Sequence, residues 1–258
     1  IYVTNTSLGL PKHFQNFVKF LENNNFLKKK SRILEIGCND GTLLKEINSG
    51  ERFVLGVDPA KNLVNKLKND FEIIVSDYDN SLSKKINNKY RGFDLIIANN
   101  VIANIDNLES VFKGIYHNLN QNGYFVMETF SLYGLLKNNL FDNIYHEHIS
   151  YFGVETLQKF CKRFNMQLIR ALPLKVKGGS IRFIFKKTKQ NIKLDKKSNS
   201  YLNIEKKFFK NIENKFLRMT KINMNIKKKI HEFLNLKNKN KKISAYGASV
   251  GSTTFIYY

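Results

Sequence analysis

Short apolar runs alternate with amphipathic helical stretches between Arg32 and about Phe185, and this alternation constrains the fold more than any other feature. The runs are rich in β-branched and aromatic residues and are bounded by Gly, Asn or Asp, as is typical of buried strands. They read RILEIG, RFVLGVD, FEIIVSD, FDLIIANN and YFVMETF. Since strands and helices take turns along the chain, the sequence predicts a mostly parallel sheet with helices on both faces.

Two further strands are expected after the fifth one. The segments MQLIRALPL and GGSIRFIFKK follow a helical stretch and predict an antiparallel pair that closes the sheet. The sequence therefore predicts an α/β domain over residues 31–187, with a mixed, mostly parallel seven-stranded sheet of Rossmann-like topology. Residues 1–30 are expected to form a helical segment that leads into this domain.

The character of the chain changes after residue 187. Residues 188–242 are predicted to form a basic linker and a long amphipathic helix, because apolar residues recur at helical spacing from about Tyr201 to Leu236. The segment KKISAYGAS then predicts a strand and a glycine turn, so residues 243–258 are expected to begin a second, incomplete α/β domain. Since the chain lacks an initiating Met and stops within this unit, we expect a fragment.

The net charge of +22 invites a nucleic-acid interpretation, but its make-up argues against one. The chain has 36 Lys and only 7 Arg, and Arg is the residue that makes bidentate contacts to phosphates and bases. A surplus of Lys is better explained by a solvated surface. We therefore do not expect nucleic acid as a partner.

The sequence lacks the features that would predict a membrane or exported protein. No apolar run reaches the roughly 18 residues of a membrane span, and the N-terminal residues do not form an export signal. Cys38 and Cys161 stand far apart and do not have the spacing of a disulfide framework or a zinc site. These features predict a cytoplasmic protein with no membrane partner.

The stretch ILEIGCNDGTLL places a tight glycine turn between the first strand and the helix after it. Glycine lets the backbone approach a ligand without a Cβ clash, and the helix N-terminus supplies unpaired N–H groups. The second strand ends on an acid that can accept hydrogen bonds from ribose hydroxyls. This E-x-G-x-[ND]-x-G turn with its partner acid resembles the S-adenosylmethionine (SAM) site of Rossmann-like methyltransferases. The candidate cofactor-binding residues are Glu35, Gly37, Asn39, Asp40, Gly41, Asp58 and Asn99.

Three asparagines follow the fourth strand in the segment ANNVIANIDNLES. Asn99, Asn100 and Asn104 either line a cofactor or substrate pocket or cap the strand end and the next helix. The Asn/Asp-Pro-Pro-aromatic loop of enzymes that methylate base amines does not occur here. Its absence argues against a nucleic-acid base as the substrate.

Two of the five histidines cluster in the segment NIYHEHISYFG, residues 143–153. The wider block FDNIYHEHISYFGVETLQKF, with LKVKGGSIRFIF and AYGAS further on, resembles the nucleotide-sugar C-methyltransferases. The segment YVTNTS near the start is similar to the tyrosine-led segment of that family, so the resemblance spans nearly the whole chain. The family places a branch methyl on a keto-deoxysugar that is linked to a nucleoside diphosphate.

The resemblance implies SAM as the cofactor and a nucleotide-linked 4-ketosugar as the substrate. A proton next to the ketone is removed to give an enolate, which needs a general base and groups that stabilise charge on oxygen. The resemblance assigns the base to His148, and Glu147 and Tyr145 are expected to orient that base or the sugar. The candidate substrate-binding residues are Tyr2, Asn100, Asn104, His146, Gly178, Gly179 and Ser180.

Three positions depart from the family pattern. The family commonly has His where this chain has Asn104 and Lys177, and Lys where it has Gly251. The cysteine-rich zinc domain typical of the family is missing from the chain, so no metal is expected. These departures leave the sugar and the methylated ring carbon open.

Other interpretations stand beside this one. His146 and His148 form a His-x-His pair that could hold zinc, although the other three histidines fall in helical stretches elsewhere. The block could also be structural, and Tyr151 and Phe152 in particular are expected to pack. The chain could instead be an O- or N-methyltransferase for a small molecule, a basic RNA-binding protein that keeps a SAM fold, or an inactive fragment.

Overall fold

A computed structural model describes residues 3–7, 9–237, 244 and 250–257. The strands of its single seven-stranded sheet are β1 (Arg32–Ile36), β2 (Phe53–Val57), β3 (Glu72–Ile74), β4 (Phe93–Asn99), β5 (Leu119–Phe130), β6 (Met166–Leu174) and β7 (Ser180–Lys187). Their order is β3-β2-β1-β4-β5-β7-β6, and β7 runs antiparallel to both of its neighbours. The predicted mixed, mostly parallel sheet and its closing antiparallel pair are confirmed.

Ten α-helices are described. They are α1 (Leu10–Asn23), α2 (Thr42–Ile47), α3 (Lys61–Val64), α4 (Asn80–Tyr90), α5 (Leu108–Asn118), α6 (Leu132–Asn138), α7 (Val154–Lys162), α8 (Lys196–Phe209), α9 (Ile212–Lys237) and α10 (Val250–Tyr257). Short 3-10 turns occur at Thr4–Thr6, Asn65–Leu67, Ile102–Asn104, Phe141–Asn143 and Val176–Gly178.

Helices cover both faces of the sheet because strand side chains alternate between two cores. Ile33 packs with Phe17 and Leu21 of α1, whereas the next residue, Leu34, packs in the core that contains Phe112 of α5. All five side chains are buried. The predicted lead-in segment is therefore part of the domain core.

The strand order reverses between β1 and β4, because the chain builds outward from β1 to β3 and then returns to β4. In open α/β sheets, ligands bind at such a switch point, in the crevice outside the carboxyl ends of the strands. The carboxyl ends of β1, β2, β4 and β5 lie at this edge. The fold therefore predicts a ligand site at the turns after these four strands.

The predicted long C-terminal helix is divided in two, with a break at residues 210–211. Leu202 of α8 packs into the main core, whereas Met219 of α9 packs against Leu135 and Leu136 of α6. The end of α8 also reaches α6, because Phe208 and Phe209 pack in the same cluster as Met219. Four large apolar side chains of α9 are exposed: Phe216, Leu217, Met224 and Phe233.

The predicted strand KKISAYGAS lies outside the described residues except for Ser244, so the second α/β domain stays a prediction. The chain after it forms α10, and the Thr254 hydroxyl donates a hydrogen bond to the Ile144 carbonyl at 3.3 Å. Within the described ranges, no helix combines the length and the apolar character that a membrane crossing requires.

Candidate active site

Two adjoining cavities open at the switch-point edge. The first has a volume of about 520 Å³ and is lined mainly by the turns after β1, β2, β3 and β4. The second, of about 300 Å³, lies on the other side of the β1 turn. Four residues line both cavities: Gly37, Asp58, Val101 and Asn104. A ligand that occupies one cavity can therefore reach into the other.

The turn after β1, residues 37–41, is named the cofactor turn here. Gly37 has a φ of 76°, and a Cβ there would lie 2.9 Å from the Val101 side chain. Gly41 has a φ of 74° at the start of α2, and a Cβ there would lie 2.8 Å from Leu67. Both positions need glycine, because other residues rarely adopt this backbone conformation and have no room for a side chain.

The acid predicted after β2 is fixed by the backbone. One carboxylate oxygen of Asp58 accepts from the Asn39 N–H at 2.9 Å and the other accepts from the Ala60 N–H at 2.8 Å. Glu35 is buried behind the turn and does not line either cavity. Burial raises the pKa of Glu35, and the nearby carboxylates of Asp58 and Asp40 raise it further.

Asn39 and Asp40 hold the N-terminal segment against the cofactor turn. The Asn39 side-chain oxygen accepts from the backbone and the hydroxyl of Thr4, both at 3.1 Å. Asp40 accepts from the Asn5 N–H at 2.7 Å and from the Thr42 hydroxyl at 2.6 Å. Asn39 lines the second cavity, but Asp40 lines neither cavity, so the structure gives it a structural part in place of the predicted cofactor contact.

Buried polar atoms without a protein partner mark the floor of the second cavity. They are both side-chain heteroatoms of Asn99 and the side-chain oxygen of Asn100. Asn100 itself is held in a left-handed conformation with a φ of 54°, and its N–H donates to the Glu128 carbonyl at 2.8 Å. Such atoms normally find a hydrogen-bond partner, so their presence here fits a polar ligand.

The loop between α6 and α7, residues 139–153, is named the histidine loop. His148 is buried, and its Nδ1 lies 2.7 Å from the Asn143 carbonyl oxygen. Because a carbonyl can only accept, Nδ1 carries the proton, and Nε2 is left as the basic nitrogen. Nε2 accepts a hydrogen bond from the Tyr145 hydroxyl at 2.8 Å. His148 and Tyr145 both line the second cavity.

The Asn143 carbonyl accepts hydrogen bonds from two side chains of this loop. It accepts a second hydrogen bond from the Tyr151 hydroxyl at 3.1 Å. Tyr151, which the sequence predicts to pack, therefore helps to hold the carbonyl that fixes His148. The loop is tied to the turn after β4, because the Ile149 and Ser150 N–H groups donate to the Ala103 carbonyl at 2.9 and 3.0 Å.

Of the other predicted site residues, Glu147 lines a cavity, whereas His146 does not. Glu147 is exposed and lines the second cavity, but its carboxylate is not among the hydrogen-bond partners of His148 in the described residues. The Asn143 carbonyl orients the His148 ring, and the predicted role of Glu147 in orienting the sugar stays a prediction. His146 is exposed and lines neither cavity, and Tyr2 lies outside the described residues.

The GGS motif forms a turn and does not line the second cavity. Gly178 and Gly179 have φ values of 76° and 143°, and the Ser180 hydroxyl donates to the Val176 carbonyl at 3.1 Å. The turn places Lys177 along the cavity instead. In the sequence, Lys177 stands out only because the family commonly has His at this position. The structure adds that it lines the cavity.

Comparison with known proteins now decides the family. A family model described as a methyltransferase domain matches residues 11–171, and one described as a C-methyltransferase C-terminal domain matches residues 175–258. The first match spans more than half of the chain, so the chain belongs to the SAM-dependent methyltransferases, and the second match agrees with a C-methyltransferase. This confirms the family resemblance that the sequence motifs indicate.

A curated relative of this chain is the C-methyltransferase NovU of Streptomyces niveus. The two are 29% identical over 182 residues, which is 70% of this chain and 43% of the relative. The chain thus spans less than half the length of the curated relative that it matches.

Solved structures agree with the fold of this chain. A SAM-dependent methyltransferase from Archaeoglobus fulgidus has a TM-score of 0.52 and 17% identity, covering 67% of this chain and 94% of that one. One from Clostridium acetobutylicum has a TM-score of 0.53 and 17% identity, covering 69% and 92%. At these identities the likeness concerns the fold alone.

SAM fits the residues that line the two cavities. The first cavity has an apolar wall that includes Tyr78 and Ile105, suited to an adenine ring, and Asp58 stands where ribose hydroxyls can donate to it. Asp77, which the sequence analysis did not single out, lines this cavity and can accept from an exocyclic amine. The unpartnered atoms of Asn99 and Asn100 suit the amino and carboxylate groups of a methionine moiety.

A zinc site on the His-x-His pair is not supported by the geometry. Both ring nitrogens of His148 are engaged, one by Asn143 and one by Tyr145. In the part of the chain that the structure describes, no three or more His, Cys, Asp or Glu residues are grouped to hold a metal ion.

Proposed function

We propose that this chain is the SAM-dependent C-methyltransferase of a nucleotide-linked 4-ketosugar, and that it methylates a carbon next to the ketone through an enolate. The C-methyltransferase relative NovU and the C-methyltransferase domain match support the class of reaction. The sugar substrate and the enolate step rest on the family resemblance and on the side chains around the second cavity. A small-molecule substrate within the cytoplasm is part of the same proposal.

The buried His148 carries the proposal. Its Nδ1–H is committed to the Asn143 carbonyl, so Nε2 carries the lone pair that can accept a proton from carbon. Burial lowers the pKa of His148 below its ordinary value, which keeps the ring neutral near pH 7. A neutral, buried imidazole that lines the second cavity is suited to carbon-acid chemistry.

Tyr145 is suited to a second task at the same atom. Its hydroxyl donates to Nε2 in this structure, so it must turn away when a substrate carbon approaches the base. Burial raises the pKa of Tyr145, and the charge of Glu147 raises it further, so the phenol keeps its proton. The released O–H can then donate to a substrate oxygen. SAM, when bound, supplies the electrophilic methyl group that the substrate carbon accepts.

The position of the new methyl group tests this function. The chain is incubated with SAM and a panel of nucleoside-diphosphate 4-ketosugars, and the products are analysed by NMR for carbon- or oxygen-linked methyl. We expect a C-methyl product and a loss of about 100-fold or more in rate for His148→Asn. An O- or N-methyl product, or full activity of the His148→Asn variant, would contradict the proposal and favour an O- or N-methyltransferase.

A further inference from the structure

Lys177 is the one lysine or arginine among the described residues that line the second cavity. It shares that cavity with the base His148, with Tyr145 and with Asn100 of the cofactor region. Its side chain is exposed to solvent. The cation therefore faces the space in which the substrate and the cofactor would meet.

The backbone at Lys177 is held in a conformation that residues with a Cβ avoid. Its φ and ψ are 50° and 40°, in the left-handed region. The surrounding turn is fixed, because Gly179 N–H donates to the Val176 carbonyl at 3.1 Å and the Gly178 carbonyl accepts from Asn138 at 2.8 Å. Strained positions that the structure holds firmly are concentrated at functional sites.

Two opposing influences act on the pKa of Lys177. Desolvation beside the cavity wall lowers it, and the charge of Glu128, which also pairs with His13 at 2.6 Å and with Arg182, raises it. Burial also lowers the pKa of His148, and the charge of Lys177 lowers it further, against the opposing effects of the Asn143 carbonyl and Glu147.

We propose that Lys177 is a catalytic residue whose ammonium group binds the ketone oxygen of the substrate and pairs with the oxyanion of the enolate. This inference rests on the proposed function. Proton removal breaks a C–H bond: the proton goes to Nε2 of His148, and the electron pair moves onto the ketone oxygen. The enolate carbon would then take the methyl group of SAM: the methyl–sulfur bond would break with its electron pair leaving on sulfur as S-adenosylhomocysteine, the enolate pair would form the new C–C bond, and the oxygen would become a ketone again.

The positive charge of Lys177 is needed only while the ketone oxygen is negative. The inference therefore predicts an effect on the rate and not on substrate binding. A donor aimed at a developing oxyanion stabilises the transition state more than the ground state. Loss of Lys177 should therefore lower the rate at saturating substrate. A lysine that held the diphosphate of the substrate would act on the KM instead.

The first experiment measures deuterium exchange of the α-proton of a nucleoside-diphosphate 4-ketosugar in D2O, at saturating substrate. Lys177→Met should lose about 100-fold in exchange rate, and Lys177→Arg should recover part of it. Lys175→Met is the matched control, because Lys175 is an exposed lysine of the same turn that does not line the cavity.

The outcomes separate this inference from the function on which it rests. A wild-type chain that exchanges no proton with any ketosugar would overturn the proposed function and the role of Lys177 with it. Wild-type exchange that persists unchanged in Lys177→Met, or a Lys177→Met effect confined to KM, would overturn the role of Lys177 alone.

A second experiment needs no substrate. The pKa of His148 is measured by NMR in the wild type, in Lys177→Met and in Glu147→Gln. Thermal melting checks that each of the three is folded. Lys177→Met should raise this pKa because it removes a repelling charge, and Glu147→Gln should lower it because it removes an attracting one. A His148 pKa that does not move in Lys177→Met would place the ammonium too far from the base and overturn the inference.

Discussion

The two halves of the site are built in different ways. The cofactor turn and Asp58 are fixed by backbone geometry, with glycines at positive φ and N–H groups that point at a carboxylate. The histidine loop is fixed by side chains that converge on one carbonyl, that of Asn143. The cofactor half of the candidate site therefore depends on backbone conformation at strand ends, whereas the proposed catalytic half depends on side-chain hydrogen bonds within one loop, residues 143–151, which the Ala103 carbonyl ties to the turn after β4.

The largest effect is expected in the cofactor half, for Gly37→Ala. The variant combines a left-handed backbone with a Cβ that lies 2.9 Å from Val101, so we expect the free energy of unfolding to fall by about 2–4 kcal/mol. SAM affinity, measured by calorimetry, should fall as well. Gly50→Ala is the matched control, since Gly50 has a φ of 77° with open space around it and should lose only the backbone contribution. Equal losses in the two variants would contradict the proposed close packing of the turn.

The free energy of unfolding is expected to depend on pH through Glu205, which binds the start of α7. The Glu205 carboxylate accepts from the Val154 N–H at 2.6 Å at the start of α7, and burial raises the pKa of Glu205 to about 7. The folded state therefore holds a proton that the unfolded state has released between about pH 4.5 and 7. Unfolding free energy should decline as pH rises through this window, by up to about 3 kcal/mol.

Urea unfolding at pH 5 and pH 8 measures this decline. In Glu205→Gln the amide oxygen can still accept from Val154 but the proton is no longer exchanged, so the contribution of this site should vanish. The difference in stability between wild type and variant cancels the other titrating groups. A difference that is the same at both pH values would refute the protonation of Glu205.

A smaller effect is expected for Tyr151→Phe, which removes one of the two donors to the Asn143 carbonyl. The proton-exchange rate should fall about 2- to 10-fold, because one hydrogen bond that holds the base in place is lost. SAM affinity should stay unchanged, since Tyr151 does not line either cavity. Reduced SAM binding in this variant would show that the two halves are less separate than described.

The smallest effect is expected for His146→Asn. His146 is exposed and lines neither cavity, so its predicted contact with the substrate has no support in the geometry. We expect the exchange rate and the KM to stay within about twofold of wild type, because surface changes away from a site have small effects. A large rise in KM would restore the predicted role.

The same contrast explains what the sequence could reveal. Gly37, Gly41 and Asp58 could be identified because strand ends and glycine turns leave local patterns, and the strand–helix alternation predicted the sheet. Asn143 was missed because its contribution is a backbone carbonyl, which no residue type encodes. The proposed role of Lys177 could not be predicted, because only the left-handed turn before β7 places it in the same cavity as His148.

The division of the long C-terminal helix has a related cause. Apolar spacing continues through residues 210 and 211, so periodicity predicts one helix. The break follows from packing, since Leu202 and Met219 are buried in different clusters. Tertiary contacts of this kind are not visible in the spacing of apolar residues.

The most direct test of the account is deuterium incorporation into a nucleoside-diphosphate 4-ketosugar in D2O, without SAM, by the wild-type chain and by His148→Asn. The account predicts exchange next to the ketone in the wild type and its loss in a variant that still folds and binds SAM. Exchange that is equal in both chains would remove His148 as the base, and a folded, SAM-binding wild type without any exchange would contradict the carbon-acid chemistry itself.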